Sequence, residues 1–137
     1  MSIGHLLKTP FDILVEQIHV DIAQSGFPEV RIAHGPVFVY IGNGARLTEL
    51  AERANMTKQS MSYLVEYLEE HGYVEKTNDE TDKRAKIFIL TDKGRQVNAV
   101  ADKSIKKFES DCKKKLGKEK FKLLLSLLKE LHLSLVK

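Results

Sequence analysis

Apolar residues recur at steps of three and four through Phe11, Leu14, Val15, Ile18 and Ile22. That is the period of a helix with one buried face, and Gly26 and Pro28 predict its end. Val30, Ala33, Val37, Phe38 and Ile41 keep the same spacing, but Gly35-Pro36 lies across them. Proline lacks the amide hydrogen and crowds the preceding turn, so a kinked or divided helix is expected there. Gly42-Asn43-Gly44 is a stop signal. A short helix is predicted over Thr48–Ala54, with Thr48 capping its free amides, and Asn55-Met56 makes a turn. Thr57 opens a second helix with Met61, Leu64, Val65 and Leu68 on one face, and Gly72 closes it.

Beyond Gly72 the period changes. Tyr73–Thr77 and Ala85–Leu90 read as two strands, the second with Ile87 and Ile89 alternating against Lys86 and Phe88. The polar run Asn78–Arg84 between them is a hairpin tip. Thr91-Asp92 caps a long helix that carries Val97, Val100, Ala101, Ile105, Phe108 and Cys112 toward one side, on the order of 35 Å long at about 1.5 Å per residue. Gly117 breaks it, and a last helix carries Phe121, Leu124, Leu125, Leu128, Leu131 and Leu135.

A chain of 137 residues with 42% hydrophobic and 30% charged residues is the size and balance of one soluble domain. The expected fold is mainly α with a small β-hairpin wing (α+β). A winged helix-turn-helix over 30–91 is flanked by dimerisation helices over 1–29 and 92–137. The first helix and the last two carry apolar stripes longer than one small domain covers, which predicts a homodimer. No apolar run reaches the ~18–20 residues of a membrane span, and Met1–Pro10 has no signal-peptide pattern. The expectation is a cytoplasmic protein with no membrane partner. A single cysteine excludes an intrachain disulfide. The net charge of +3 is gathered in Ala101–Lys137, which holds 11 basic and 5 acidic residues. That excess reads either as a solvated helix face or as a flank that attracts DNA phosphates.

Two short helices, a tight turn and a two-stranded hairpin follow the winged helix-turn-helix order. With Met61, Leu64, Val65 and Leu68 turned inward, the second helix presents Lys58, Gln59, Ser62, Tyr63 and Glu66 on its other side. A helix fits the major groove of B-DNA, and its N-terminal residues meet base edges first. The free amides and positive dipole end of this helix favour a phosphate near Thr57, and Ser60 is counted with the DNA-binding residues. Gln59 can pair with adenine through two hydrogen bonds, Lys58 can reach guanine or phosphate, and Tyr63 can donate to phosphate or pack on a thymine methyl. At the wing, Lys83 and Arg84 suit the negative potential of a narrow minor groove. Asp82, two residues before Arg84, would be repelled by phosphate; its expected role is to accept hydrogen bonds from Arg84 or the hairpin backbone.

Leu47-Thr48-Glu49-Leu50-Ala51, Met56–Met61, Leu68–Val74, Asp79–Lys86 and Leu90–Gly94 together resemble the successive motifs of the MarR family of bacterial regulators. They cover just under a quarter of the chain, and the D-x-R step at Asp82 and Arg84 is the most specific of them. The resemblance implies a triangular homodimer with interlocked terminal helices, often a repressor released by a small-molecule effector. It also implies Arg84 as the minor-groove arginine, Asp82 as its support and Lys58–Tyr63 as the base reader. Tyr63 departs from the arginine or asparagine of many relatives, so the operator does not carry over.

The expected function is sequence-specific, pseudopalindromic double-stranded DNA binding in transcription regulation, with no cofactor. His5, His19, His34, His71 and His132 lack metal-ligand spacing with Cys112, and His71 reads as a cation at a helix C-terminus. No phosphate loop, nucleophile elbow or paired catalytic carboxylates are present, which argues against an enzyme. Two alternatives stand beside this reading. One is a winged-helix module that binds protein; the other is a redox-sensing regulator acting through Cys112, which lies on an apolar stripe beside Lys113–Lys115 and reads either as a buried inert thiol or as a redox sensor.

Overall fold

Ser2 accepts a hydrogen bond from the His5 amide at 3.3 Å and starts α1, Ile3–Gln24, in the computed structural model, which describes residues 1–136. Only the end of α1 reaches the core: Ile22 is buried and Ile18 packs beside it, while Phe11 is exposed. A polar clasp joins α1 to the long helix, with Ser104 Oγ donating to Asp21 Oδ2 at 2.5 Å and Gln17 Nε2 to Oδ1 at 2.8 Å.

Gly35-Pro36 divides the next segment into a 3-10 turn, Ile32–His34, and α2, Gly35–Tyr40. Pro36 falls in the first turn of α2, where a missing amide hydrogen costs no intrahelical bond. Helix α3 spans Leu47–Arg53. Thr48 is not its cap, contrary to expectation. The helix starts one residue before Thr48, and the Arg46 amide donates to Glu49 Oε1 at 2.8 Å, so the carboxylate three residues on serves the helix start. Asn55 takes φ 53° to turn the chain, a left-handed conformation that asparagine tolerates.

Helix α4, Lys58–Glu70, opens at Thr57, whose hydroxyl accepts the Ser60 amide at 3.1 Å. Met61, Val65 and Leu68 are fully buried. Strands β1, Val74–Asn78, and β2, Lys86–Leu90, pair antiparallel, Val74 facing Leu90 and Asn78 facing Lys86. The core face of β2 carries Phe88 and Leu90, whereas Ile87 and Ile89 lie half-buried on the other side. Ala45 pairs with Phe88 along the other edge of β2, and Gly44 lies close against Ile87 and Ile89, so the outer face is apolar and partly covered too. Helix α5, Asp92–Leu116, is capped by Thr91, and Gly117 (φ 88°) turns the chain into α6, Lys118–Leu135. Cys112 is half-buried, and no described residue of α6 is buried. Among the described residues no helix is long and apolar enough to cross a membrane.

Candidate nucleic-acid interface

Burial of Met61, Val65 and Leu68 fixes the rotation of α4 and leaves Lys58, Gln59 and Tyr63 exposed at its N-terminal half, Tyr63 at 74%. Gln59 and Tyr63 border a groove on each side, one floored by Leu47, the other by Ala33 and Met56, so they form the crest between them. Among the described residues the side chains of Lys58, Gln59 and Tyr63 make no hydrogen bond. The hydroxyls differ. Thr57 and Ser60 bond to each other at 2.9 Å, and half-buried Ser62 donates to Glu66 Oε1 at 3.2 Å. Thr57, Ser60 and Ser62 are thus engaged in shaping the helix, and the unengaged groups are Lys58, Gln59 and Tyr63.

In the wing, Asp82 Oδ1 accepts the Arg84 amide at 3.0 Å, and the Asp82 carbonyl accepts the Ala85 amide at 3.0 Å. Asp82 therefore shapes the turn backbone. Its Oδ1 lies 4.0 Å from Arg84 Nε, and the Arg84 side chain is 98% exposed. Lys83 is exposed beside it. The turn delivers Arg84 outward without an ion pair strong enough to hold it back.

The far end of α4 is anchored by a cluster that the sequence pattern did not reveal. Tyr67 Oη donates to the Glu29 carbonyl at 2.9 Å, and Tyr73 Oη to Glu29 Oε2 at 2.7 Å. The Tyr73 bond holds the Glu29 carboxyl below its ordinary value, and burial pushes the Tyr73 phenol up. The His34 ring stacks on Tyr67 at 4.7 Å and His71 packs against the same ring at 4.3 Å. His34 Nδ1 accepts the Arg31 amide at 2.8 Å, and burial, then the charges of Arg31 and His71, lowers its pKa. A neutral imidazole suits that place. Lys93 spans to α5, donating to the His71 carbonyl at 2.8 Å over the Tyr73 ring.

Residues 37–85 match the profile of the MarR family. Over these residues the winged core is similar to the MarR family. The transcriptional repressor CouR, solved bound to a 23-mer DNA duplex, is 26% identical, with 96% of this chain and 92% of that chain covered and a TM-score of 0.72. A transcriptional regulator from Thermotoga maritima is also 26% identical, over 94% and 90% of the two chains, at a TM-score of 0.64. FabT of Streptococcus pneumoniae, solved in complex with DNA, shares the fold at a TM-score of 0.81 over 97% and 94%, with 20% identity. No curated protein matches the sequence significantly. The chain thus resembles solved transcriptional regulators in fold along nearly its whole length.

A second feature absent from the sequence reading lies at the base of the wing. Asp79 Oδ2 accepts from Arg46 Nε at 3.0 Å and Nη2 at 2.7 Å, while Oδ1 accepts the Thr81 amide at 3.0 Å and hydroxyl at 2.9 Å. These bonds, the Thr81 amide foremost and then the Arg46 guanidinium, hold the Asp79 carboxyl down to about 2 from an ordinary 3.8. The shift is downward, so the stabilisation is complete above pH ~4 and is lost as pH falls toward 2. Following the Asp79 carboxyl by NMR is expected to give a midpoint near 2. In Arg46→Ala the midpoint rises yet stays below the ordinary value, because Thr81 still donates. A midpoint unchanged by Arg46→Ala would mean that the pair does not persist in solution.

Proposed function

We propose that this protein is a homodimeric, sequence-specific DNA-binding regulator of transcription, a cytoplasmic repressor that occupies a pseudopalindromic operator. The observation that carries this reading is the set of unengaged donors at two places on one winged fold: Lys58, Gln59 and Tyr63 along α4, and Lys83 and Arg84 at the hairpin tip. A major-groove reader needs such groups free on the outer face of its helix, and a wing needs cations at its tip; the two occur together here. Thr57, Ser60 and Ser62 complete the DNA face by presenting the start of α4 to a phosphate. Asp82 supports the wing. In this reading 30–91 is the DNA-binding part, and 1–29 with 92–137 forms the dimer.

Support for the dimer comes from surface chemistry. Leu124, Leu128 and Leu131 of α6 and Leu6, Leu7 and Phe11 of α1 are exposed in one chain, a stretch of apolar surface that a second copy would cover. Two α4 helices about one DNA turn apart would then read two half-sites. The repressor CouR, at 26% identity, supports the sign of regulation, and regulators rather than enzymes are the company this fold keeps.

Sequencing the genomic fragments retained by the purified protein, with light scattering on the same sample, tests both halves of the proposal. The expected outcome is a dimer at micromolar concentration and a shared inverted repeat among the retained fragments. A compact monomer sinks the dimer, and fragments no different from the input sink the sequence-specific reading.

A further inference from the structure

Arg46 is the residue immediately before α3, and Asp79 is the residue immediately after β1. They are 33 positions apart, and their bonds join two elements that the backbone connects only through α4 and β1. Asp79 divides its carboxylate between two tasks. One oxygen takes both nitrogens of the Arg46 edge; the other takes the amide and hydroxyl of Thr81 and so closes the turn that leads to Lys83 and Arg84. The Asp79 side chain is 17% exposed and that of Arg46 40%, so solvent screens this pair less than a surface pair. Behind Arg46 the bonding continues. Its amide donates to Glu49 Oε1, Glu49 Oε2 accepts from Arg53 Nη2 at 3.3 Å, and Arg53 Nη1 donates to the Tyr40 carbonyl at 2.9 Å. A continuous chain of hydrogen bonds therefore runs from the end of α2 to the wing turn.

Without this chain the wing is a two-stranded ribbon, an element of marginal stability by itself. The Ala45–Phe88 bridge holds its base, and the tip beyond Lys86 is left with the Asp79 amide to Ala85 carbonyl bond at 3.2 Å and its own turn bonds. We propose that Arg46 is a positioning residue for DNA binding: through Asp79 it sets the pose of the wing tip against α3 and α4, so that Arg84 and Gln59 engage one duplex in one register. Its guanidinium is directed at Asp79, which separates its role from that of a phosphate contact. This inference rests on the DNA-binding reading above.

Holding the tip in advance lowers the ordering cost of binding. Arg46→Ala is expected to weaken operator binding roughly tenfold, the size of coupling between residues of one hydrogen-bond network. The salt dependence keeps its slope, since no phosphate contact is lost. Asp79→Asn gives a similar loss, and the double variant loses no more than either alone. Arg46→Lys retains the charge with a single point donor in place of the two-nitrogen edge, and falls between. In the free protein, amide hydrogen exchange over 79–85 speeds up in Arg46→Ala and Asp79→Asn, while exchange in α4 is unchanged. A salt slope lower by about one ion per half-site in Arg46→Ala identifies a phosphate contact and overturns the proposal. Additive losses in the double variant, or tip exchange at the wild-type rate, overturn it as well. If the wild type retains no DNA, the DNA reading fails, and faster tip exchange in the free variants still establishes that Arg46 holds the wing.

Discussion

Gly94→Ala is expected to cost about 3 kcal/mol of folding stability, at the upper end of what overpacking a well-filled site costs. Gly94 lies in the first turn of α5, where a Cβ would stand 2.2 Å from the Tyr73 carbonyl oxygen and 3.0 Å from Leu90 Cδ2. The oxygen cannot swing aside, because it belongs to the backbone leading into β1 and already accepts the Thr91 amide at 3.1 Å. Moving it would also pull on Thr91, whose hydroxyl donates to the Gly72 carbonyl at 2.6 Å and accepts the Gly94 amide at 3.1 Å. Alanine favours a helix interior over glycine by about 1 kcal/mol, so the steric conflict outweighs the propensity gain. Since α5 continues from the wing into the apolar α6, the same shift would disturb the relation between wing and proposed dimer face. Urea unfolding checks the value; a variant as stable as the wild type would mean that α5 does not rest directly on Tyr73.

How much of this was legible beforehand differs with the range of the interaction. The order of elements and the rotation of α4 were legible because they follow from local periodicity: Met61, Val65 and Leu68 could only point inward, which left Lys58, Gln59 and Tyr63 outside. The inner face of β2 was not legible, since Ile87, Phe88, Ile89 and Leu90 form an unbroken apolar run that fits either rotation. What decides it is tertiary packing: Phe88 and Leu90 join the core cluster, and Ile87 and Ile89 face the side where Gly44 lies. Thr48 was a reasonable cap by residue type, but the helix begins one residue earlier and Glu49 takes over the task. The Arg46–Asp79 pair and the Glu29–Tyr67–Tyr73 cluster join residues 33 to 44 positions apart, and no periodic signal reports such pairs. Within the proposed site, the pattern could name exposed polar residues but could not tell the engaged from the unengaged. That distinction depends on which neighbours Thr57, Ser60 and Ser62 reach.

Gln59→Ala is expected to cost about 1–3 kcal/mol per half-site on the true operator, hence roughly 2–6 kcal/mol for a dimer that makes the loss twice. The group removed stands at the crest of α4 with no partner among the described residues, so nothing within the protein is disturbed and the loss is read in DNA binding alone. Binding to random duplex changes little, and so does the salt slope, because an uncharged amide releases no counterions. Arg84→Ala behaves in the opposite way. Its guanidinium is almost wholly exposed and too far from Asp82 for a firm ion pair, so the arginine is available to the negative potential of a minor groove. Its loss weakens binding to most sequences and lowers the salt slope by about one counterion per half-site. Titrating both variants against operator and random duplexes at several salt concentrations separates the two kinds of energy. Should Gln59→Ala weaken random DNA as much as operator, α4 would be a phosphate binder and the assignment of base reading to it would fall.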